Sequence, residues 1–189
     1  AQSALQIMDG TVETLYMIDV AAVRLDLDEA DGAGNSADTV TIQNGAFQGN
    51  VSLTQLEIET GIGQDTFNVL EDDFRNASMV NVNASLDGGS GTDTLNVTSG
   101  REFVTLSNGS LSLGTLVAGD LGTISLSGVS GEVAMLTDVA GATNTVFDLS
   151  GWTAAGATAT VNGLGGADTL VGPNLNSSWN VNTNNPAPA

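Results

Sequence analysis

Four aspartates recur at the same place in a glycine-rich pattern, and their carboxylates are the side chains best suited to chemistry. Each follows a loop that contains glycine and precedes a Thr and an apolar residue. The fullest copy of the pattern runs from Gly88 to Leu95 (GGSGTDTL), and the four residues are Asp38, Asp65, Asp93 and Asp168. A carboxylate placed in this way can accept backbone N–H groups in its own turn, or it can bind a hard cation such as Ca2+.

The composition excludes most other kinds of active site. The 189 residues include no Cys, no His and no Lys. Thiol nucleophiles, zinc–thiolate centres, histidine bases and Schiff-base lysines are therefore excluded. Only Arg24, Arg75 and Arg101 oppose 22 acidic residues, and the formal net charge of −19 makes nucleic-acid binding unexpected. Carboxylates alone can hydrolyse glycosides, so a polysaccharide-active enzyme is a remote alternative.

The length of the chain suits one domain. We predict a single domain over residues 1–181, with 1–22 as an N-terminal cap or first coil, and 182–189 (NTNNPAPA) as a linker-like tail. No segment approaches the ~18–20 consecutive apolar residues of a membrane helix, so membrane insertion is not expected. No signal-peptide pattern opens the chain, and secretion is therefore inferred from other features.

Short runs of alternating apolar and polar residues predict β-strands throughout the chain. Most of them end at a Gly, Asn or Asp turn signal. The segment Val12–Val23 could be helical, but it has no clear helix cap and is interpreted as strand. The alternating runs are Val23–Leu27, Val40–Ile42, Leu56–Ile58, Val80–Val82, Thr123–Leu126 and Thr158–Val161.

The spacing of the glycine–aspartate pattern predicts a solenoid. The first three aspartates lie 27 and 28 residues apart, and the remaining 75 residues to Asp168 would hold three steps of 25. Degenerate copies at Gly122–Leu126 and Asn144–Leu149 fill that gap. A period in the mid-twenties with short strands indicates an all-β parallel β-helix of about six coils. The alternative is a β-sandwich, which strands at this density also suggest.

Stacked coils would bring aspartates of successive repeats close together. Neighbouring strands lie ~4.8 Å apart, so aligned carboxylates repel one another. Each Asp either closes a turn or shares a cation with the next coil. On the second interpretation the predicted Ca2+ ligands are Asp38, Asp65, Asp87, Asp93 and Asp168.

Two resemblances accompany this pattern. The segment Gly88–Leu95 resembles the GGxGxDxL nonapeptide of haemolysin-type (RTX) Ca2+-binding repeats, with partial copies at Gly61–Phe67 and Gly163–Leu170. The segment Gly163–Val181, which pairs GLGGADTL with an Asn-rich Trp element, is similar to bacterial exoproteins of the filamentous-haemagglutinin or giant-adhesin type. These resemblances imply a secreted, extracellular or cell-surface β-helix with adhesive or matrix roles.

Three functions follow as hypotheses. The leading one is a non-enzymatic structural or adhesive stalk or self-assembling fibre subunit, whose partners are further copies of itself or cell-surface and matrix glycans. The second is a Ca2+-dependent module of a surface adhesin or S-layer. The polysaccharide-active β-helix enzyme is the third.

Overall fold

The described part of the chain consists of strands and turns. The fold comes from a computed structural model, which describes residues 3–9, 11–17, 20–27, 37–48, 51–70, 72–115, 119–127, 132–139 and 144–173. No helix occurs among these residues, so none there is long and apolar enough to cross a membrane. The all-β prediction is therefore confirmed. The predicted tail 182–189, Trp179 and the Asn-rich element lie outside the described residues.

Seventeen strands lie within these ranges. Most alternate between buried and half-exposed residues, because successive side chains of a strand point to opposite faces. Their bounds are Ser3–Asp9 (β1), Thr11–Met17 (β2), Ala22–Asp26 (β3), Thr39–Ile42 (β4), Gln55–Glu59 (β5), Ile62–Gly63 (β6), Thr66–Val69 (β7), Asn83–Asp87 (β8), Ser90–Gly91 (β9), Thr94–Ser99 (β10), Phe103–Ser107 (β11), Ser110–Thr115 (β12), Gly119–Ser127 (β13), Val133–Asp138 (β14), Val146–Gly151 (β15), Thr158–Asn162 (β16) and Thr169–Val171 (β17).

The strands form two large sheets and one small pair. The first sheet has seven strands in the order β16-β14-β10-β7-β4-β1-β2. The second sheet has eight strands in the order β17-β15-β11-β12-β13-β8-β5-β3. The third element is the two-stranded parallel pair β6-β9, which lies between β5 and β7 in one repeat and between β8 and β10 in the next.

Parallel pairing in register runs through much of both large sheets. In the first sheet Thr39 pairs with Thr66, and Thr66 with Thr94. In the second sheet Leu56 pairs with Val23 on one side and Ala84 on the other. The 27- and 28-residue steps read from the aspartates are thus the steps between hydrogen-bonded neighbours. The repeat predicted from the sequence is confirmed over this part of the chain.

Two antiparallel elements interrupt that regularity. The hairpin β1–β2 pairs with β4 in antiparallel fashion and ends the first sheet. In the second sheet β11, β12 and β13 form an antiparallel meander. The prediction of three equal steps between Asp93 and Asp168 is wrong, because the meander occupies that interval and Asp168 precedes β17 of the second sheet.

One predicted strand is much reduced. The run Val80–Val82 contributes only an isolated antiparallel bridge between Arg75 and Asn81. Asn76 explains this locally, because its side-chain oxygen accepts the N–H groups of Ser78 and Val80 and holds a turn. Polar side chains that bond to nearby backbone compete with strand pairing in this way.

One apolar core joins the two large sheets. Paired residues of successive strands stack in columns, and buried members include Val40, Phe67, Leu95 and Ala134 of the first sheet. Leu56, Ala84 and Ile124 form a corresponding column in the second sheet. Burial of this apolar surface is the main force that holds the sheets together.

Candidate functional site

A column of four acidic residues runs along the first sheet. Asp38, Asp65, Asp93 and Glu132 each stand directly before a strand, and the strands β4, β7, β10 and β14 are hydrogen-bonded neighbours. All four residues are buried. They are called the carboxylate column below, and they form the strongest concentration of buried charge in the described residues.

Three carboxylates of the column, those of Asp65, Asp93 and Glu132, accept the backbone N–H of the residue before them in the column. Asp65 Oδ1 accepts the N–H of Asp38 at 2.8 Å, and Asp93 Oδ1 accepts the N–H of Asp65 at 2.9 Å. Glu132 Oε2 likewise accepts the N–H of Asp93. These carboxylates therefore close the turn of the neighbouring strand, whereas the sequence suggested closure of their own. The reason is that strand starts in register lie within side-chain reach of one another.

The first glycine of the pattern makes room for the second carboxylate oxygen. A Cβ placed on Gly88 would overlap Asp93 Oδ2, and a Cβ on Gly163 would overlap Asp168 Oδ2. The five-residue separation is the same in both copies. This explains why glycine stands five residues before these aspartates.

The second glycine serves a different purpose. Gly89 has φ of 71°, and a Cβ there would overlap the carbonyl oxygen of Gly61 in the preceding repeat. Ser90 donates its N–H to the same carbonyl oxygen at 2.8 Å. Two loops thus stack backbone against backbone, which requires glycine both for the positive φ and for the close approach.

Burial leaves part of the column unsatisfied. Oδ2 of Asp65 and Oδ2 of Asp93 are buried, and neither accepts a hydrogen bond from the described residues. Burial raises the pKa of Asp93, and the charges of Asp65 and Asp87 raise it further, against the opposing effect of the Asp65 N–H. Burial also raises the pKa of Glu132 to about 7, with further contributions from the charges of Asp93 and Asp65.

A small cavity adjoins the column. Its volume is about 30 Å³, which is room for a small number of water molecules. Asp93 and Glu132 both line it, next to the indole of Trp152. The remaining lining is mainly apolar, with Phe67, Leu86, Leu95 and Leu126.

The other predicted ligands lie elsewhere. Asp87 ends β8, and its Oδ1 accepts the N–H of Gly89 in its own turn at 2.9 Å. Its charge acts on Asp93, so it lies near the column. Asp168 is exposed and belongs to the second sheet, where its Oδ1 accepts the N–H of Thr145 at 3.0 Å. The structure therefore groups Asp38, Asp65 and Asp93 and separates Asp168 from them.

Sequence reasoning missed Glu132. It takes the place of Asp in the pattern and lies 39 residues after Asp93, which is outside the expected period. The signal that could have found it is the run from Gly128 to Leu136 (GVSGEVAML), where glycines precede an acid and an alternating strand. The meander of β11 to β13 adds residues between Asp93 and Glu132, so Glu132 does not fall at the position that the repeat spacing predicts.

The column differs from a metal cage. Among the described residues no group of three or more acidic side chains has a geometry that could hold a metal ion. Ca2+ takes about six to eight oxygen ligands. One oxygen of Asp65 and one of Asp93 are already bonded to N–H groups, and the cavity beside Asp93 has a mainly apolar lining. The donor set therefore fits Ca2+ poorly, and Ca2+ binding stays a prediction.

Comparisons with protein-family models, with curated proteins and with solved structures give no match for this chain. The resemblances to haemolysin-type repeats and to large exoproteins consequently stay predictions from short motifs.

Proposed function

We propose that the chain is a parallel β-helix that serves as a non-enzymatic structural or adhesive module, a stalk or fibre subunit, of an extracellular protein. Support comes from the in-register parallel pairing of β4, β7, β10, β14 and β16, with side chains stacked in columns. Such stacking is typical of solenoids, in which each repeat contacts only its neighbours.

The polar groups of the described residues support a structural role because many of them bond one repeat to the next. Besides the carboxylate column, Asn96 donates its side-chain N–H to Asn68 Oδ1 at 2.9 Å, and Asn68 donates to Thr41 Oγ1 at 3.2 Å. These groups are committed to the fold rather than to a substrate. The cavity beside Asp93 has a volume of about 30 Å³, which is far smaller than a typical ligand pocket.

The observation that carries the proposal is the open edge at β16 and β17. Leu170 pairs with Phe147, and Ala159 pairs with Ala134, so both continue inward columns. Leu170 is nevertheless 41% exposed, whereas Phe147 is 1% exposed. Both strands end their sheets among the described residues. Exposed edges of this kind invite a further strand, and we propose that a second copy of the chain supplies it in end-to-end association.

The test is the assembly state of an edge-blocked variant. Thr158 donates its N–H to the carbonyl oxygen of Glu132, directly before β14. The N–H of the next residue, Ala159, therefore points away from β14, as parallel pairing requires. Ala159→Pro removes that donor and leaves the pairing with β14 intact. Ala159→Val keeps the donor and is the matched control. Sedimentation and electron microscopy over a range of concentrations should show rods for the wild type and the valine variant only.

Two results would contradict the proposal. Wild-type protein that is strictly monomeric at all concentrations would contradict the proposed end-to-end assembly. Rods that persist in Ala159→Pro would place the contact at another surface.

Calcium-dependent folding is the second candidate function. One observation favours it: the Oδ2 atoms of Asp65 and Asp93 are buried and accept no hydrogen bond from the described residues, so their charge lacks a compensating partner. Thermal melts in Ca2+, in chelator and in Mg2+ test it. A Ca2+-specific rise in Tm that Asp93→Asn abolishes and Asp148→Asn retains would establish it. Equal Tm values in all three conditions would contradict Ca2+-dependent folding.

A further inference from the structure

We propose that the outer face of the first sheet binds a neutral, extended polysaccharide. This face consists of the outward side chains of β4, β7, β10, β14 and β16, and we call it the uncharged face. The inference rests on the adhesive role within the proposed function, because it names the surface and the class of partner that this role requires. It does not depend on the open sheet edges or on end-to-end assembly.

The uncharged face is a regular array of mainly Thr and Asn side chains. Its strands alternate, so the residues between buried ones such as Val97 and Leu136 point outward. In-register pairing aligns the first outward positions in a column of Thr39, Thr66, Thr94, Val133 and Thr158. The second column consists of Thr41, Asn68, Asn96, Met135 and Thr160. A shorter third column consists of Thr98, Thr137 and Asn162.

The three columns carry no charge, although the chain is strongly acidic. None of their residues is acidic or basic, whereas the chain has 22 acidic residues. The outward positions of β3, β5 and β8 in the second sheet differ, because they include Arg24, Asp26, Glu57, Glu59 and Asp87. A neutral partner can therefore contact the first sheet without displacing water from a charged group.

The side chains of the uncharged face are held in place before any partner binds. Asn96 donates its side-chain N–H to Asn68 Oδ1, and Asn68 donates to Thr41 Oγ1, so neighbouring strands are joined within the second column. Thr side chains are branched at Cβ, which restricts their χ1 angle. The Thr residues of the first column are half-buried or exposed, so their hydroxyl and methyl groups can contact a partner. An ordered surface of this kind loses little side-chain entropy on binding.

The chemistry of the face excludes several classes of partner. Nucleic acids and anionic lipids are bound by basic side chains, and the three columns contain none. Protein interfaces, including those between two copies of a chain, usually have an apolar centre with aromatic or Arg anchors. The columns contain no aromatic residue, and their apolar residues are Val133 and Met135.

A neutral polysaccharide matches what remains. Hydroxyl and amide groups can exchange hydrogen bonds with sugar hydroxyls, and the Thr methyl groups can pack on the C–H groups of a sugar ring. Positions along a column repeat every ~4.8 Å, which is comparable to the length of one sugar unit in an extended chain. A crystalline water lattice would call for equivalent positions, and Asn96 and Met135 interrupt the Thr residues of the second column.

Co-sedimentation with insoluble neutral polysaccharides tests the proposal, with microcrystalline cellulose, chitin and starch granules as probes. We expect wild-type protein to be retained on cellulose or chitin, whose chains are extended, and less on starch. Retention should not change with salt, because no ion pair contributes to it. Cross-linked polygalacturonate, an acidic polysaccharide, should retain no protein.

Met135→Glu is the variant that locates the contact. It places a charge within the uncharged face at a side chain that is 45% exposed, so the fold should tolerate it. Covering an unpaired carboxylate with a neutral partner should weaken retention by about tenfold or more. Ser125→Glu is the matched control, because it adds the same charge at an exposed position of β13 in the second sheet. Equal Tm values for the two variants would show that both are folded.

Thr98→Val provides a milder variant if Met135→Glu does not fold. It keeps the branched shape and removes one hydroxyl group from the third column, so retention should fall a few-fold while the Tm changes little. Retention equal to that of wild type in both folded variants would overturn the proposal.

Three further results would overturn it. The first is no retention on any of the three neutral polysaccharides. The second is an equal loss in Met135→Glu and Ser125→Glu, because net charge rather than the uncharged face would then control retention. The third is adsorption to ice, or bundling of rods that Met135→Glu abolishes, without retention on a polysaccharide. Rods without retention would contradict this inference alone, and retention of strictly monomeric protein would contradict end-to-end assembly alone.

Discussion

Two columns of stacked acids in this molecule meet the same electrostatic problem and solve it in opposite ways. The carboxylate column is buried, and three of its four members accept backbone N–H groups just before the neighbouring strand. A second column consists of Asp26, Glu59 and Asp87, which pair at the ends of β3, β5 and β8. We refer to it as the solvent-facing column, and its members are exposed or half-buried.

The solvent-facing column relies on water and one arginine. Arg24 lies 3.5 Å from Asp26 and 2.9 Å from Glu59, and all three side chains are at least one-third exposed. Exposed ion pairs of this kind contribute little to stability. Equal strand spacing therefore produces structural carboxylates in one place and solvated charges in the other. Burial decides between these two roles, because a buried N–H group needs an acceptor within the protein, whereas an exposed one can bond to water.

Asp65→Ala should produce the largest effect. It removes the acceptor of the Asp38 N–H and leaves that donor buried, which we expect to lower the free energy of unfolding by about 2–4 kcal/mol. Glu59→Ala, in the solvent-facing column of the same repeat, is the matched control and should cost much less. Denaturant titrations of both variants measure the difference, and equal losses would show that burial does not distinguish the columns.

Gly88→Ala should come next. The added Cβ would overlap Asp93 Oδ2 and force the carboxylate out of place, at a cost of about 1–3 kcal/mol. Gly109→Ala is the control, because nothing lies within 4 Å of a Cβ at that position. Thermal unfolding of the two variants tests the expectation. A Gly88 variant as stable as the Gly109 variant would mean that the carboxylate moves freely.

Asp73 belongs to neither column, and the pH dependence of its contribution to stability extends the comparison. Asp73 is buried, which on its own raises its pKa, but its hydrogen bonds with Arg75 at 2.7 and 2.5 Å hold that pKa below 3.8. Its stabilising effect is present above pH 3.8 and is lost as pH falls through the lowered pKa. Arg75→Gln should cost about 1–2 kcal/mol at pH 7 and less at pH 3, because protonated Asp73 no longer attracts the guanidinium. Stability curves over this range check the sign, and a loss in Arg75→Gln that does not vary with pH would contradict it.

The smallest effect is expected for Arg24→Gln. Its contacts are exposed and are screened by salt, so the Tm should be unchanged at physiological ionic strength. A modest fall should be seen only at low salt. A clear loss of Tm at high salt would show that the solvent-facing column depends on this arginine.

Individual residues show which strands and pairings the sequence predicted and which it did not. The alternation in Leu56–Ile58 and Thr158–Val161 predicted strands that the structure contains, and the 27- and 28-residue steps predicted which strands pair. Glu132 could not be placed, because the meander from β11 to β13 shifts the period. Asp168 matches the motif well and still belongs to the other sheet, since a local pattern does not say which sheet a strand joins.

The sequence by itself determined the strand content, the glycine positions and the aspartates that start successive strands. These follow from local rules: side chains alternate along a strand, and glycine adopts positive φ and the closest approaches at the lowest cost. Tertiary structure decided the partners of these carboxylates, the burial of Asp93 with Glu132, and the place of β16 and β17 at the ends of their sheets within the described residues. The physical reason is that hydrogen-bond partners and burial depend on which distant segments lie side by side, and the meander sets that arrangement across 39 residues of chain.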